Sequence, residues 1–325
     1  MERETAFPFD AVKALLERAE SITILSHLNP DTDTIGTALG IYALLKAAKF
    51  RRVEVVNASG RLPRHLDFLD GFGRIKRSIE YEKSLIITCD CASVERLGLS
   101  IGGREILNID HHQSNTYYGT INVVAPGYAS ASQVAFELFR ECYPIPLQSA
   151  VCWYAALLSD TRYFTTSSVN ERVFDVAKAL VAMGVEPAGV AYHFTQRRSL
   201  ASFRILERAL KSLHLYNDAR VALLVVTKED IAATGATIPD MEGIVDYARS
   251  LATVKVALFV MEQPQEIRVS FRSKGIDVDR LASQFGGGGH RVAAGVTFKA
   301  GNLQEIIDTI IAKIQETGLL DGKKT

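Results

Sequence analysis

The sequence predicts an α/β protein of two domains, a parallel-sheet domain on the N-terminal side and a smaller α/β domain after it. Three observations predict this. Short β-branched and apolar runs alternate with amphipathic helical stretches, the pattern of βαβ units feeding a parallel sheet. A chain of 325 residues is longer than one small core comfortably holds. A charge-dotted helical stretch from Ser199 to Leu213 then leads into a second set of elements, as an interdomain connector would. The expected division is residues 1–195, a helical linker over 196–214, and 215–325.

In the first domain Ile22–Ser26, Val53–Val56, Leu85–Cys89 and Ile106–Ile109 read as strands, and Thr34–Ala47, Ser132–Cys142 and Asn170–Met183 carry helical periodicity. In the second, Val221–Val226, Val254–Met261 and Glu266–Phe271 read as strands, the last two joined by Glu262-Gln263-Pro264-Gln265 as a hairpin turn. Helices are expected over Met241–Ser250, Asp277–Gln284 and Asn302–Thr317, and a frayed tail over Gly322-Lys323-Lys324-Thr325.

Composition narrows the function classes. Lys+Arg and Asp+Glu are both 37, so the overall basic excess that drives binding to long nucleic acid is missing. No apolar run approaches the length of a membrane span, and the first residues, MERETAFPFD, are charged where a signal peptide would be apolar. A cytoplasmic protein is expected, with no membrane partner. Cys89, Cys91, Cys142 and Cys152 show neither zinc spacing nor a disulfide framework and read as reduced and mostly buried. Asn57-Ala58-Ser59 matches a glycosylation acceptor by chance. Homodimerisation is left open.

In open α/β sheets ligands bind outside the carboxyl ends of the strands, so the residues just past each apolar run are the ones expected to converge. The stretch Ser26 to Gly40 crowds His27, Asp31 and Asp33 into one turn, and Gly36 with Thr37 reads as a place where backbone N–H groups approach an anion. Capping of the following helix explains the two acids equally well. Asp90 ends the apolar run Leu85–Cys89, where a buried carboxylate is costly without a cation or donor. Asp110, His111 and His112 follow the next run; adjacent histidines point different ways, so one can bind metal, one can address a phosphate, and Asp110 can orient an imidazole. Asp160 follows Ala155-Ala156-Leu157-Leu158 and alone reads better as a cap or turn residue.

Together His27, Asp31, Asp33, Asp90, His111 and Asp160 offer enough ligands for two divalent cations, with one carboxylate left to bridge. Mixed imidazole and carboxylate ligation favours Mn2+, with Co2+ or Fe2+ next and Mg2+ less suited. Two such ions about 3.5–4 Å apart clamp the attacking and leaving oxygens of a phosphoryl displacement.

Farther on, Phe285 to Gly295 holds four consecutive glycines, Gly286, Gly287, Gly288 and Gly289, then His290 and Arg291, and reads as a phosphate cradle; a flexible hinge would not account for His290 and the small-residue run Ala293-Ala294-Gly295. Neither a P-loop nor a dinucleotide fingerprint fits it. Arg268, Ser270 and Arg272 share one face of a strand by the period-two rule, a basic face suited to phosphate, although a solvated sheet face is as common a cause.

The ordered set of His27 to Asp33, Asp90, Asp110-His111-His112 and Asp160 resembles the DHH phosphoesterase family, and the GGGGH run resembles its associated DHHA1 domain. The resemblance spans nearly the whole chain and is nearest to the branch of nanoRNases (oligoribonucleases), pAp phosphatases and dinucleotide phosphodiesterases. It implies that His27, Asp31 and Asp90 hold one metal and Asp33, Asp90, His111 and Asp160 the other, with Asp90 bridging and His112 facing the scissile phosphate. Arg268 or Arg272, Gly287, Gly288, Gly289 and His290 would grip the rest of the substrate, with the active site in an interdomain cleft. The implied reaction is hydrolysis of di- to pentaribonucleotides, linear dinucleotides such as pApA, or pAp, releasing nucleoside 5′-monophosphates. Cyclic-dinucleotide hydrolysis, pyrophosphatase, single-strand exonuclease and a non-catalytic nucleotide sensor are the alternatives. Thr32 and Arg162 stand where the family usually has glycine: Thr32 restricts the turn, and Arg162 either contacts substrate or points outward.

Overall fold

The computed structural model describes residues 7–321. The expected tail at Gly322-Lys323-Lys324-Thr325 and the side chain of His290 lie outside the described residues. The chain forms two compact units, one ending at Arg197 and the other beginning at Arg198. No described helix is long and apolar enough to cross a membrane.

The first unit runs α1 (Phe9–Glu17), β1 (Ile22–Ser26), α2 (Thr32–Ala47), β2 (Val53–Val56), β3 (Leu85–Cys89), β4 (Ile106–Asp110), β5 (Ile121–Val124), α3 (Ala131–Phe139), α4 (Leu147–Asp160), α5 (Glu171–Ala182) and α6 (Pro187–Thr195). The five strands are parallel, in the order β2-β1-β3-β4-β5. The chain leaves β1 to one side and returns through β3 on the other, so the two strands that part at the switch point end in Ser26 and Cys89. Ligand sites of open α/β sheets form outside such ends.

Ile22, Ile24, Ile87, Leu107 and Ile109 bury one face of this sheet against Ile35, Leu39, Phe136 and Trp153 of α2, α3 and α4. Leu25, Val56 and Ile86 bury the other face against Cys91, Leu97 and Ile101 of the connection after β3. All five residues of β1 and of β3 are buried, which explains why both read as continuous apolar runs.

Helices α2 and α4 run antiparallel in close contact. A Cβ at Gly36 would stand 2.7 Å from the Cys152 carbonyl oxygen, and one at Gly40 2.2 Å from Trp153 Nε1. Gly36 therefore serves helix packing, which corrects its reading as an anion-approach point. The antiparallel pair also puts the first turn of α2 beside the last turn of α4.

The second unit runs α7 (Leu200–Lys211), β6 (His214–Tyr216), β7 (Val221–Val226), α8 (Lys228–Thr234), α9 (Ile244–Ser250), β8 (Val256–Glu262), β9 (Glu266–Ser273), α10 (Val278–Ser283), β10 (Gly288–His290), β11 (Ala293–Lys299) and α11 (Leu303–Glu316). Its mixed sheet has the order β10-β11-β9-β8-β7-β6, with only β7 and β8 parallel. One face packs on α10 and α11 through Val269, Phe271, Leu281 and Ile310. The other packs on α7 and α9, where Ile205, Ala209 and Val245 meet Leu224 and Phe259. The stretch read as a connector is thus built into this core.

Two local readings change. The helix expected from Met241 is broken by Gly243, whose φ of 78° lies in the left-handed region, and α9 starts after it. The glycine run is neither a hinge nor an open cradle. Gly288 to His290 form β10, paired with Ala293 to Gly295 of β11. The N–H groups of Gly286 and Gly287 donate to the Ser283 and Ala282 carbonyls, and that of Gly289 donates to Asp279 Oδ1 at 2.7 Å. Gly287 and Gly289 are needed for close strand contact: Cβ atoms there would stand 2.3 Å from the Gly295 carbonyl oxygen and 2.5 Å from that of Ala293.

Candidate metal centre

The centre is assembled at the C-terminal ends of β1, β3 and β4. His27 follows β1, and its Nδ1 lies 2.8 Å from the Leu28 carbonyl oxygen, so Nδ1 carries the proton and Nε2 points inward as an acceptor. His111 follows β4 and is held the same way, with Nδ1 3.2 Å from the Tyr128 carbonyl oxygen. Asp90 follows β3 with a φ of 55°, a left-handed conformation that Asp tolerates better than most residues and that turns its carboxylate into the centre.

Asp31 is the N-cap of α2, accepting from the Thr34 N–H at 3.1 Å, so the capping explanation holds for it, and it also faces His27. Asp33 does not cap its own helix. It accepts from the Ala131 and Ser132 N–H groups at 2.7 and 3.1 Å, the first amides of α3, and from Thr37 Oγ1 at 3.2 Å. A helix N-terminus favours a carboxylate, yet burial and the neighbouring charge of Asp90 push Asp33 up to about 7. Asp160 is the last residue of α4, neither a cap at a helix start nor a strand-end residue. Burial, with Asp33 next to it, raises Asp160 to about 8.

His27 Nε2 lies 3.5 Å from Asp90 Oδ2 and 3.9 Å from Asp31 Oδ1. His111 Nε2 lies 3.4 Å from Asp90 Oδ1, 3.6 Å from Asp160 Oδ2 and 3.8 Å from Asp33 Oδ2. Donor atoms therefore gather in three overlapping groups, His27, Asp31 and Asp90, then Asp33, His111 and Asp160, and Asp90, His111 and His112, with Asp90 facing His27 through one oxygen and His111 and His112 through the other. Asp90 is 2% exposed, and its Oδ1 is buried without a hydrogen bond. Burial opposes a charge there, but His111 and His27 hold its carboxyl below the usual carboxylate range. Burial also opposes a charged His111, which Asp90, Asp33 and Asp160 nonetheless hold well above the ordinary imidazole value.

Two inward imidazole lone pairs and four carboxylates converging with almost no donor among them form a set that divalent cations complete. The orphaned oxygen of Asp90 is where a shared ligand would be needed. The residues fit a centre for divalent cations.

His112 also reaches the centre, with Nδ1 3.4 Å from Asp90 Oδ1, and Asp110 stands behind it. Asp110 is fully buried and its Oδ1 lies 2.7 Å from His112 Nδ1. Arg162, Tyr163 and Phe164 continue from Thr161 with φ of 47°, 59° and 62°. Arg162 thus occupies a left-handed position that glycine would take without cost, while Thr32 is an ordinary first residue of α2. Arg268 and Arg272 lie in the second unit with Ser270 on the less buried face of β9, and Arg268 Nε lies 2.6 Å from Glu266 Oε1.

Several supporting groups escaped the sequence. The amides of Ala131 and Ser132 hold Asp33, and the only hint is the Ser130 N-cap that starts α3. Asn57, dismissed above as a chance motif, is fully buried and donates to the carbonyls of Ser26 and His27. All four cysteines are free, three of them buried, and none joins the centre.

Known proteins match this arrangement. Residues 21–157 match the DHH family, N-terminal domain, and residues 218–316 match the DHHA1 domain. The bifunctional oligoribonuclease and PAP phosphatase NrnA of Thermus thermophilus is 28% identical over 300 residues, covering 91% of this chain and 89% of that protein. The protein of the same name from Bacillus subtilis is 25% identical, covering 86% and 89%. The crystal structure of an exopolyphosphatase-related protein from Bacteroides fragilis superposes with a TM-score of 0.89 at 26% identity, covering 95% of this chain and 96% of that one. With both domain models in order along the chain and the histidine and aspartate set gathered at the strand ends, this protein belongs to the DHH/DHHA1 family.

Proposed function

We propose that the protein is a two-metal-dependent phosphoesterase that hydrolyses short nucleotide substrates, di- to pentaribonucleotides, linear dinucleotides such as pApA, or pAp, to nucleoside 5′-monophosphates. The observation that carries this reading is Asp90, whose two oxygens face His27 and His111 separately while one of them accepts no hydrogen bond. His27, Asp31 and Asp90 would hold one cation, and Asp33, Asp90, His111 and Asp160 the other. Mn2+ is the preferred ion for this mixed donor set, ahead of Co2+ and Mg2+. Bound together, such ions lower the pKa of water and neutralise charge on phosphoryl oxygens.

The chain's own residues supply the rest. The Leu28 and Tyr128 carbonyls keep the two ligand histidines in the Nδ1–H tautomer. Asp110 does the same for His112, whose Nε2 is assigned to the scissile phosphate. Arg268 and Arg272 are assigned to the remaining phosphate of the substrate, since a guanidinium fork matches phosphate oxygens. The names of the NrnA relatives support the choice of short oligoribonucleotides and pAp over long nucleic acid, as does the formal net charge of +0.

The test is a substrate panel with Mn2+: pAp, pApA, di- to pentaribonucleotides, a cyclic dinucleotide, pyrophosphate and a long single strand. Turnover of the short linear substrates is expected. Activity on pyrophosphate alone would remove the substrate class.

A further inference from the structure

Behind His112 lies a buried chain of amides. Asn115 is 6% exposed and Asn108 fully buried. Asn115 Nδ2 donates to Asp110 Oδ2 at 2.5 Å and to the Cys91 carbonyl at 3.3 Å. Its Oδ1 accepts from the Tyr117 N–H at 2.7 Å and from Asn108 Nδ2 at 3.0 Å. Every polar atom of the Asn115 side chain is therefore used, and its orientation has one solution. Turned over, the amide would set its oxygen against the Asp110 carboxylate and the Cys91 carbonyl, and its nitrogen against two donors.

Asn108 is fixed in turn. Its Oδ1 accepts from Thr88 Oγ1 at 3.3 Å, and its Nδ2 also donates to Asn122 Oδ1 at 3.0 Å. Tyr118 closes the chain by donating to Thr88 Oγ1 at 2.8 Å. At the other end Asp110 Oδ1 accepts from the His111 N–H at 2.8 Å and faces His112 Nδ1 at 2.7 Å. The network anchors Asp110 Oδ2 and leaves Oδ1 aimed at one ring nitrogen. A carboxylate free to rotate would meet Nδ1 equally well with either oxygen and would set no ring angle. Polar networks satisfied at every member act in this way, holding one conformation of a buried group.

We propose that Asn115 is a positioning residue: through Asp110 it holds the His112 imidazole in the Nδ1–H tautomer and in one orientation, with Nε2 presented outward. The consequence for catalysis rests on the functional reading above; the tautomer does not. Two residues separate Asn115 from His112, so the turn Asp110 to Asn115 carries both the substrate-facing ring and the group that aims it. The Asn115 N–H also donates to the His112 carbonyl at 3.2 Å, which closes that turn.

The experiment compares the parent with Asn115→Ala and with the isosteric Asn115→Asp, which keeps the acceptor toward Tyr117 and Asn108 but sets an oxygen against Asp110. Histidine is labelled with nitrogen-15, Mg2+ is present as a diamagnetic ion, and spectra are taken at about pH 9, above the ordinary imidazole range. The His112 signals are assigned from a His112→Asn protein. The parent is expected to show the Nδ1–H tautomer at His112, and both variants a shift toward Nε2–H. With pAp, kcat is expected to fall by about 10–100-fold, the usual cost of losing a supporting partner, while KM changes little. Folded variants that keep the tautomer and the parent kcat would overturn the proposal, leaving Asn115 a packing residue. A parent inactive on every nucleotide whose His112 tautomer still changes in the variants would support the positioning role and remove the functional reading alone.

Discussion

His111 Nε2 lies 3.4 Å from Asp90 Oδ1, an oxygen that is buried and accepts no hydrogen bond. With the proton of a neutral His111 committed to the Tyr128 carbonyl, the two atoms would face each other as acceptors, and the raised His111 value puts a second proton between them when no cation does. Such a contact costs free energy unless a proton or a cation lies between them. A structure that keeps His27 on the other oxygen of the same carboxylate keeps two such contacts.

Asp90→Asn should therefore remove the charge that both imidazoles face. The change keeps the shape and removes the shared charge, so Mn2+ binding measured by calorimetry should be lost at both positions. Turnover of pAp should fall by more than the about 10–100-fold that loss of a supporting partner costs. The metal-free variant should be less stable than the metal-free parent near pH 7, because the charge that His111 and His27 hold below the usual carboxylate range has gone and a buried imidazolium loses its partner. Retention of full Mn2+ affinity would show that Asp90 is no ligand.

The pH dependence of the metal-free protein follows from the same crowding. Burial and neighbouring acids raise Asp33 to about 7 and Asp160 to about 8, above their unfolded values near 4. Between those limits the folded state binds more protons than the unfolded one, so stability falls as pH rises. His111, raised well above 6.5 despite its burial, acts in the same direction at the upper end, where its stabilising charge is lost. Melting temperature in chelator should drop from about pH 5 to about pH 8. Saturating Mn2+ should reverse the drop, contributing about 2.7 kcal/mol at one hundred times its Kd. A flat profile in chelator would contradict the assigned crowding.

The strands of the first unit were readable because they are buried on both faces and form unbroken apolar runs, and the candidate ligands were readable because each follows such a run. Asp160 followed an apolar segment too, but that segment is α4, and nothing local distinguishes a buried helix of small and apolar residues from a strand. Strand β10 was hidden for a different reason. Gly288 and Gly289 carry no side chain to show a period, and their place in a sheet depends on Gly295 and Ala294 across the ladder. The hold of Ala131 and Ser132 on Asp33 spans nearly a hundred residues of chain and depends on backbone groups that every residue has.

The antiparallel contact of α2 with α4 gives a prediction about stability. In a solvated helix Gly→Ala stabilises by about 1 kcal/mol. At Gly40 the added methyl would meet Trp153 Nε1 at 2.2 Å, and Trp153 is fully buried, so it cannot retreat. Gly40→Ala should destabilise by about 1–3 kcal/mol in urea unfolding, the range for overpacking. Gly102→Ala, with nothing within 4 Å of the new methyl, should stay within about 0.5 kcal/mol. Equal effects of the two would mean that the helices are not in close contact.

The basic face of β9 gives the last prediction. Arg268, Ser270 and Arg272 alternate with the buried Ile267, Val269 and Phe271, and across the ladder they pair with Thr297, Gly295 and Ala293 of β11. Beyond those small residues, Gly288 of β10 pairs with Gly295. The arginines therefore stand beside a floor of low relief that leaves room for a flat or extended ligand. Asp279, which takes the Gly289 N–H, sets a carboxylate at the glycine run, so an anion is better received by the arginines than by that run. Losing one charge-assisted contact costs about 1.5–3 kcal/mol. Arg268→Ala and Arg272→Ala should each raise KM for pAp by about 10–100-fold and change kcat less, as expected for groups that bind ground and transition state alike. Lysine should restore only part of the affinity, because it offers a point charge where a fork is used. If KM for pAp is unchanged in both alanine variants while Mn2+-dependent turnover persists, the substrate phosphate is held elsewhere and β9 is a solvated sheet face.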